Sequence, residues 1–364
     1  MQAVPVYFQT SRWLRAYLER PGYETGYKRT AADAYANLLT GRLVNPAAGP
    51  VRKLGVPDDA VNFDYIPADW RPQNADLLDL PCGLPGPNGD QAGLNNGRTM
   101  YDIWRTSFHN LFTMDNDFQG AVADHAWFSI IDTDSAHHLS APLVEQAIRW
   151  RDPARLDGAP TRPMIVINFD AHTDYGAKSG AQPQVPITCQ SWGRFVSNTV
   201  PGSYDFPLAD AYVRFGHNTA YDDVASWGEA EWHAADAPYV TKKVIDNYTG
   251  PQPLIDQIDE VRRQVAGGVD TPIYAYVSLD RDVLKQNYTQ YNDGPFDQQA
   301  GIDGVKECLT YLAATNATII GFDVTGLPTF PGATRSADNR LPIKDAIDLA
   351  TTQIVELWDH VRQL

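Results

Sequence analysis

From about residue 121 onward, short apolar runs alternate with amphipathic stretches, and this alternation limits what the chain can fold into. Several of the runs are apolar at nearly every position, which is typical of strands buried on both faces of a parallel sheet. The stretches between them repeat apolar residues at helical spacing. The pattern predicts strands at 126–131, 164–169, 212–215, 273–279 and 317–322, and helices at about 139–151, 254–266, 298–315 and 342–362.

Strands that alternate with helices predict an α/β fold with three layers, in which a parallel sheet carries helices on both faces. Residues 121–364 would form this domain. Residues 1–120 are rich in Pro, Gly, Asn and aromatic residues, so we expect an irregular N-terminal extension that packs on the core. Because ligands of such folds bind beyond the carboxyl ends of the strands, polar residues directly after the apolar runs are the candidate functional residues.

Acidic and imidazole side chains follow the predicted strands. Asp170, His172 and Asp174 come directly after the run at 164–169, and Asp280 and Asp282 come after the run at 273–279. In an extended chain every second side chain points the same way, so each set can converge on one point. A third strand leads into Asp132, Asp134, His137 and His138.

Carboxylates packed this densely repel one another unless cations lie between them. Oxygen ligands with a minority of histidine nitrogens and no thiolate suit Mn²⁺ or a similar divalent cation. The candidate ligands outnumber those of a structural zinc site and fit a centre with two metal ions, which supplies a hydroxide nucleophile near neutral pH. The sequence therefore predicts a site for two divalent cations such as Mn²⁺.

The segment 169–174, FDAHTD, resembles the signature of the arginase or ureohydrolase superfamily, and the segment 278–282, SLDRD, resembles its second signature. The stretch 321–328, GFDVTGLP, is similar to the family's later strand. The resemblance covers roughly residues 125–364 and implies an arginase/deacetylase-like fold. It implies that the metal ligands are Asp170, His172, Asp174, Asp280 and Asp282, together with a histidine that opens the helix after strand 126–131. His137 and His138 both fit that position, and we favour His138.

Two departures from the family pattern indicate a particular branch. Enzymes for free arginine carry Gly-Gly-Asp-His before the helix, whereas this chain has AHHL at 136–139. The family's glutamate that holds the guanidinium would fall near Thr325 or Gly326, and neither side chain can do that work. The chain therefore resembles the divergent branch that includes peptide arginases, which convert arginine residues of ribosomally made precursor peptides into ornithine and release urea.

The resemblance also implies roles in the reaction. Asp174 would accept a hydrogen bond from the attacking hydroxide and pass its proton to the leaving amine. The guanidinium has five donors and no acceptor, so it needs a carboxylate or carbonyl partner. Asp323 and Asp134 are the candidates for substrate binding, with Asp132 and residues of the N-terminal region as others. Trp192 follows the first ligand loop and either lines the cleft or packs in the core.

Three alternatives stay open. The same residues also fit a ureohydrolase that acts on a small free guanidine, or a metal-dependent amide deacetylase. A deacetylase needs only one zinc, held by an Asp/His/Asp set, so the second carboxylate pair favours two metals. The missing guanidinium-binding glutamate leaves room for a non-catalytic module that binds metal.

The chain is acidic, since Asp and Glu outnumber Lys and Arg by 45 to 29, for a formal net charge of −16. Such a surface repels phosphate backbones and anionic lipids, so we expect no nucleic-acid or membrane partner, and a cationic, arginine-containing peptide is the expected substrate. Widely spaced cysteines, no signal-peptide pattern and no apolar run near the roughly 20 residues of a membrane span predict a cytoplasmic protein. The oligomeric state stays open, with a homo-oligomer among the options.

Overall fold

Seven parallel strands form one sheet in the part of the chain that the structure describes. The structure is a computed structural model that describes residues 3–9, 39, 42, 44–45, 49–50, 52–55, 126–131, 137, 139–159, 162–172, 174, 192–197, 207–216, 248–285, 294–327 and 343–364. The strands are β1 (Ala3–Gln9), β2 (Val44–Asn45), β3 (Gly49–Pro50), β4 (Arg52–Gly55), β5 (Ala126–Ile131), β6 (Met164–Phe169), β7 (Ala211–Phe215), β8 (Ile273–Asp280) and β9 (Ala317–Thr325). The sheet order is β4-β1-β5-β9-β8-β6-β7, with every neighbouring pair parallel, and β2 and β3 form a separate antiparallel pair.

The helices with described bounds alternate with these strands. They are α1 (Ser140–Arg151), α2 (Trp192–Ser197), α3 (Gln252–Ala266), α4 (Gln298–Ala314) and α5 (Ile343–Val361), and short 3-10 turns lie at Pro153–Asp157 and Arg281–Val283. None of the described helices combines the length and the apolar character needed to cross a bilayer.

Alternate residues of each central strand face opposite helical layers, as the two-residue period of a strand requires. On β6, Ile165 and Ile167 belong to one apolar cluster with the inner faces of α3, α4 and α5. On β7, Tyr212 points the other way, and its ring meets Trp192 of α2, which in turn contacts α1. Helices therefore cover both faces of the sheet, and the predicted three-layer α/β fold is confirmed.

The five predicted strands and four predicted helices are all present, with ends within a few residues of the predicted ones. The prediction of an irregular region over residues 1–120 is wrong for β1 and β4, which belong to the sheet. The sequence of β1, AVPVYFQ, contains a proline and ends on glutamine, so it lacks the continuous apolar run that marks a buried strand. It nevertheless pairs with β5 from Ala3 to Phe8. Most of residues 1–125 lie outside the described residues, and a domain boundary near residue 120 stays a prediction.

The carboxyl ends of parallel strands lie at one edge of the sheet, and this edge carries the candidate site. Asn168 of β6, Ser278 of β8 and Asp323 of β9 are level with one another across three neighbouring strands. Asp170 and Asp280 lie two residues further along their strands. These two residues therefore lie level with each other at the carboxyl edge of the sheet.

Candidate metal centre

His137 lies at the centre of three carboxylates. Its Nδ1 is 2.7 Å from Asp174 Oδ2, 3.1 Å from Asp170 Oδ2 and 3.3 Å from Asp280 Oδ2, and its side chain is only 1% exposed. None of these oxygens is aligned with Nδ1 for a hydrogen bond, so this buried nitrogen has no conventional partner among the described residues. A proton on Nδ1 can form a hydrogen bond in one direction only, whereas a divalent cation can be bound by several oxygens and a nitrogen at once. The three oxygens around Nδ1 therefore fit a divalent cation better.

A second group lies beside the first and shares Asp170 with it. His172 Nδ1 is 2.7 Å from Asp282 Oδ2 and 3.5 Å from Asp170 Oδ1. The two oxygens of Asp170 thus face two different histidines. His137, Asp170 and Asp280 form one group able to hold a metal ion, and Asp170, His172 and Asp282 form the other.

The position of Asp170 between the two groups affects the role predicted for Asp174. Asp170 lies between the two histidines, whereas Asp174 contacts only His137 among them. If two ions were bound, Asp170 would be the residue that faces both histidines, and Asp174 would help to hold the ion at His137. His172 has a side chain that is 25% exposed, so the centre opens to solvent on its side.

Backbone amides hold the carboxylates in these orientations. The loop after β6 donates from Ala171 N–H to Asp282 Oδ1, at 3.0 Å, and from His172 N–H to Asp170 Oδ1, at 2.7 Å. The 3-10 turn after β8 donates from Asp282 N–H to Asp280 Oδ1, at 3.0 Å. The two loops therefore fix each other, because one of them donates to a carboxylate that belongs to the other.

The ionisation of the cluster reflects its crowded negative charge. Burial, together with the charges of Asp280 and Asp170, raises the pKa of Asp282 to about 8. Burial by itself would lower the pKa of His137 and of His172, but the carboxylates around them raise both well above the usual value. In the absence of cations these groups retain protons, which reduce the net negative charge of the cluster.

A chain of hydrogen bonds supports His137 from below. Ser278 Oγ donates its single hydrogen to Asp323 Oδ1, at 2.7 Å, and therefore accepts from His137 Nε2, at 2.8 Å. Tyr276 OH donates to the other oxygen of Asp323, at 2.6 Å. In the neutral ring the proton is thus on Nε2, and the lone pair of Nδ1 faces the carboxylates.

These contacts correct the prediction that Asp323 binds substrate. Asp323 is fully buried, and both of its oxygens already accept hydrogen bonds from Tyr276 and Ser278. It lies level with Ser278, one layer below the ligands, because it precedes the end of β9 by two residues. Its carboxylate therefore orients His137 through Ser278. The sequence prediction ended this strand at residue 322 and so put Asp323 just beyond it, whereas β9 continues to Thr325.

Gly326 is one of the two residues near which the resemblance led us to expect a guanidinium-binding glutamate, and the other is Thr325. Its φ is +70°, and a Cβ at this position would lie 2.2 Å from Asp280 Oδ1 and 2.7 Å from the backbone nitrogen of Arg281. Only glycine fits both the backbone conformation and the space. The preceding residue, Thr325, is fully buried.

The structure brings six of the predicted site residues together, and three others lie outside the described residues. His137, Asp170, His172, Asp174, Asp280 and Asp282 meet at the carboxyl edge of the sheet. The sequence favoured His138 as the ligand that opens the helix, but the histidine found among the carboxylates is His137. His138, Asp132 and Asp134 lie outside the described residues.

Comparison with known proteins agrees with this architecture. No protein-family model and no curated protein matches the sequence. Among solved structures, the arginase of Entamoeba histolytica in complex with L-ornithine has 11% sequence identity and a TM-score of 0.53, over 97% of this chain and 98% of that one. Formimidoylglutamase of Bacillus subtilis has 9% identity and a TM-score of 0.50, over 100% of this chain and 88% of that one. At such identities the likeness concerns the fold, and the chain has the α/β fold of these arginase and formimidoylglutamase structures.

Proposed function

We propose that the chain is a binuclear metal-dependent ureohydrolase that acts on arginine residues of a peptide. The observation that carries the proposal is the pair of His/Asp groups that share Asp170 at the carboxyl edge of an arginase-type sheet. Two adjacent cations fit this donor set, and the absence of thiolate favours Mn²⁺. The reaction is R–NH–C(NH₂)₂⁺ + H₂O → R–NH₃⁺ + OC(NH₂)₂, in which the bond between the guanidinium carbon and the side-chain nitrogen breaks.

The chain's own residues divide the work of this reaction. When bound, the metal ions would supply an activated water at neutral pH. Asp174 holds its carboxylate beside His137 and is the group that would accept a proton from the nucleophile and return it to the leaving amine. The exposed edge of His172 marks the side from which substrate approaches. With Asp323 committed to Ser278 and Tyr276, the carboxylate for the guanidinium would come from Asp134 or Asp132.

A peptide substrate is supported by what the chain lacks and by its charge. Thr325 is buried and Gly326 has no side chain, so this part of the site offers no carboxylate to a small free guanidine. The net charge of −16 favours a cationic partner such as an arginine-bearing peptide over nucleic acid or an anionic membrane. We place the reaction in the cytoplasm, where thiols stay reduced. Cys308, the cysteine within the described residues, is free and buried.

The test is hydrolysis by the Mn²⁺-loaded protein of a panel of guanidines. The panel contains a peptide with one arginine, the same peptide with lysine in its place, free L-arginine and agmatine. We expect urea from the arginine peptide only, and a product peptide that has lost the elements CH₂N₂. Urea is measured by colorimetry and the peptide by mass spectrometry.

Matched variants connect the activity to the centre. Asp282→Asn removes a carboxylate next to His172, whereas Asp303→Asn removes an outer carboxylate of α4 that pairs with Lys306. We expect urea release to be lost in the first variant and kept in the second. Urea from free arginine or agmatine but not from the peptide would refute the substrate class, and two bound Mn²⁺ without urea from any guanidine would refute the enzyme.

A further inference from the structure

The first residue of α2 touches two members of the metal centre with one side chain. Trp192 is fully buried, and its indole N–H donates to Asp174 Oδ2 at 2.6 Å. Its ring lies against the ring of His137, with centroids 4.9 Å apart and planes at 51°. Among the described residues, Asp174 Oδ2 is also the carboxylate oxygen nearest to His137 Nδ1. Trp192 therefore contacts the imidazole and the oxygen that would share one cation.

The next residue fixes the backbone of Asp174. Asp174 has a φ of +47°, a left-handed conformation that is uncommon outside glycine and costs free energy unless neighbouring contacts hold it. Gly193 N–H donates to the carbonyl of Asp174 at 2.9 Å. A Cβ on Gly193 would lie 2.3 Å from the ring of Tyr212, so only glycine lets α2 approach this closely.

We propose that Trp192 is a positioning residue that presets Asp174 and His137 to bind the cation at the His137 side of the centre. The proposal rests on the metal centre but not on any substrate. The indole N–H occupies one lone-pair direction of Asp174 Oδ2, and the ring prevents the imidazole of His137 from turning away. Outer contacts of this kind orient metal ligands in proteins, and their loss typically weakens metal binding.

The chain offers a matched control for removing a buried tryptophan. Trp358 of α5 is 1% exposed, packs on the opposite face of the sheet, and meets Phe128 with centroids 5.4 Å apart. Trp192→Phe keeps an aromatic ring next to His137 and removes the N–H donor. Trp358→Phe makes the same chemical change away from the centre.

The experiment is calorimetric titration of metal-free protein with Mn²⁺, without substrate. We expect Trp192→Phe to bind one of two ions about tenfold or more weakly, as for other orienting contacts, and Trp358→Phe to bind both as the wild type does. Trp192→His, whose ring retains an N–H donor, should recover part of the loss. Paramagnetic Mn²⁺ should also quench tryptophan fluorescence less in Trp192→Phe than in Trp358→Phe.

Two results would overturn the inference. Either Trp192→Phe binds both ions with wild-type affinity, or Trp358→Phe weakens binding as much, which would reveal a general effect of lost packing. Circular dichroism shows whether each variant folds. If Trp192→Phe does not fold, the titration of Trp192→His provides the test, because this variant should still bind one of the two ions more weakly than the wild type does. A protein that binds two Mn²⁺ in this way and hydrolyses no guanidine would leave the inference intact and refute the proposed function.

Discussion

At the scale of single residues, the hydroxyl of Ser278 determines how His137 presents itself to the carboxylates. Ser278→Ala leaves the buried Nε2–H of His137 without an acceptor and takes one donor from Asp323. We expect Mn²⁺ affinity to fall by about 10–100-fold, the range found for groups that orient a metal-binding histidine. Calorimetric titration measures this change.

Strand β5, which is separated from β8 by β9, provides the control for that variant. Ser129 is also fully buried and level with Asp323, but its hydroxyl has no hydrogen-bond partner among the described residues. Ser129→Ala should therefore keep the wild-type affinity for Mn²⁺. An equal loss in both variants would mean that packing, and not the hydrogen bond to His137, is responsible.

Substitutions at two glycines distinguish the effect of backbone strain from the effect of a collision with the side chain of Asp280. Gly326 and Gly267 have similar positive φ angles, +70° and +77°, but a Cβ on Gly326 meets Asp280 Oδ1 whereas one on Gly267 meets nothing within 4 Å. Substitution by alanine should destabilise the Gly267→Ala protein by about 1–2 kcal/mol, the cost of a left-handed residue with a Cβ. The Gly326→Ala protein should lose more, because its Cβ also meets the backbone of Arg281. Only Gly326→Ala should also lose Mn²⁺ affinity. Chemical denaturation and metal titration check the two effects, and normal Mn²⁺ binding by Gly326→Ala would contradict the collision.

The residues that the sequence identified are those whose position follows from local chain geometry. Asp170 and Asp280 come directly after apolar strands, so a two-residue period and a parallel sheet are enough to bring them together. The position of Trp192, 18 residues after Asp174, depends on tertiary packing that no local pattern encodes. The choice between His137 and His138 likewise depends on tertiary contacts that the local sequence does not encode.

At the scale of elements, the loops after β6 and β8 assemble the centre by donating hydrogen bonds across the gap between strands. The strands themselves were predictable because each is a continuous apolar run. β1 was not predictable in this way, since it is recognised only through its pairing with β5, which lies more than a hundred residues away in the chain.

Because the groups in these loops have raised pKa values, we expect metal binding to displace protons. Carboxylates around His137 and His172 raise the pKa of both histidines, and burial raises that of Asp282 to about 8. Below this pH the metal-free groups hold protons that must leave before a cation can bind, so the apparent Mn²⁺ affinity should rise as the pH increases towards 8.

Calorimetry in two buffers of different ionisation enthalpy at the same pH measures the protons released per Mn²⁺. We expect net release at pH 7, and less of it in Asp282→Asn, which has one acidic group fewer. Binding without proton release would contradict the protonated state of the metal-free centre.

At the scale of the whole molecule, the centre concentrates buried negative charge in a chain that is already acidic. Asp170, Asp174, Asp280 and Asp282 are all buried at one edge of the sheet. Like charges at such distances oppose folding unless protons or cations compensate them. The carboxylates that would bind metal therefore lower the stability of the metal-free protein. A cation that binds only the native state should stabilise it instead.

Asp280→Asn tests that coupling, because asparagine keeps the size of the side chain and can still accept from Asp282 N–H while removing one charge. In a chelator the variant should melt at or above the Tm of the wild type, since mutual repulsion is reduced. Excess Mn²⁺ should raise the Tm of the wild type, because a ligand at a hundred times its Kd stabilises the native state by about 2.7 kcal/mol per site, and should raise that of the variant much less. Thermal unfolding with chelator and with Mn²⁺ measures all four values. A wild-type Tm that does not respond to Mn²⁺, or a variant that responds equally, would mean that Asp280 takes no part in holding a cation.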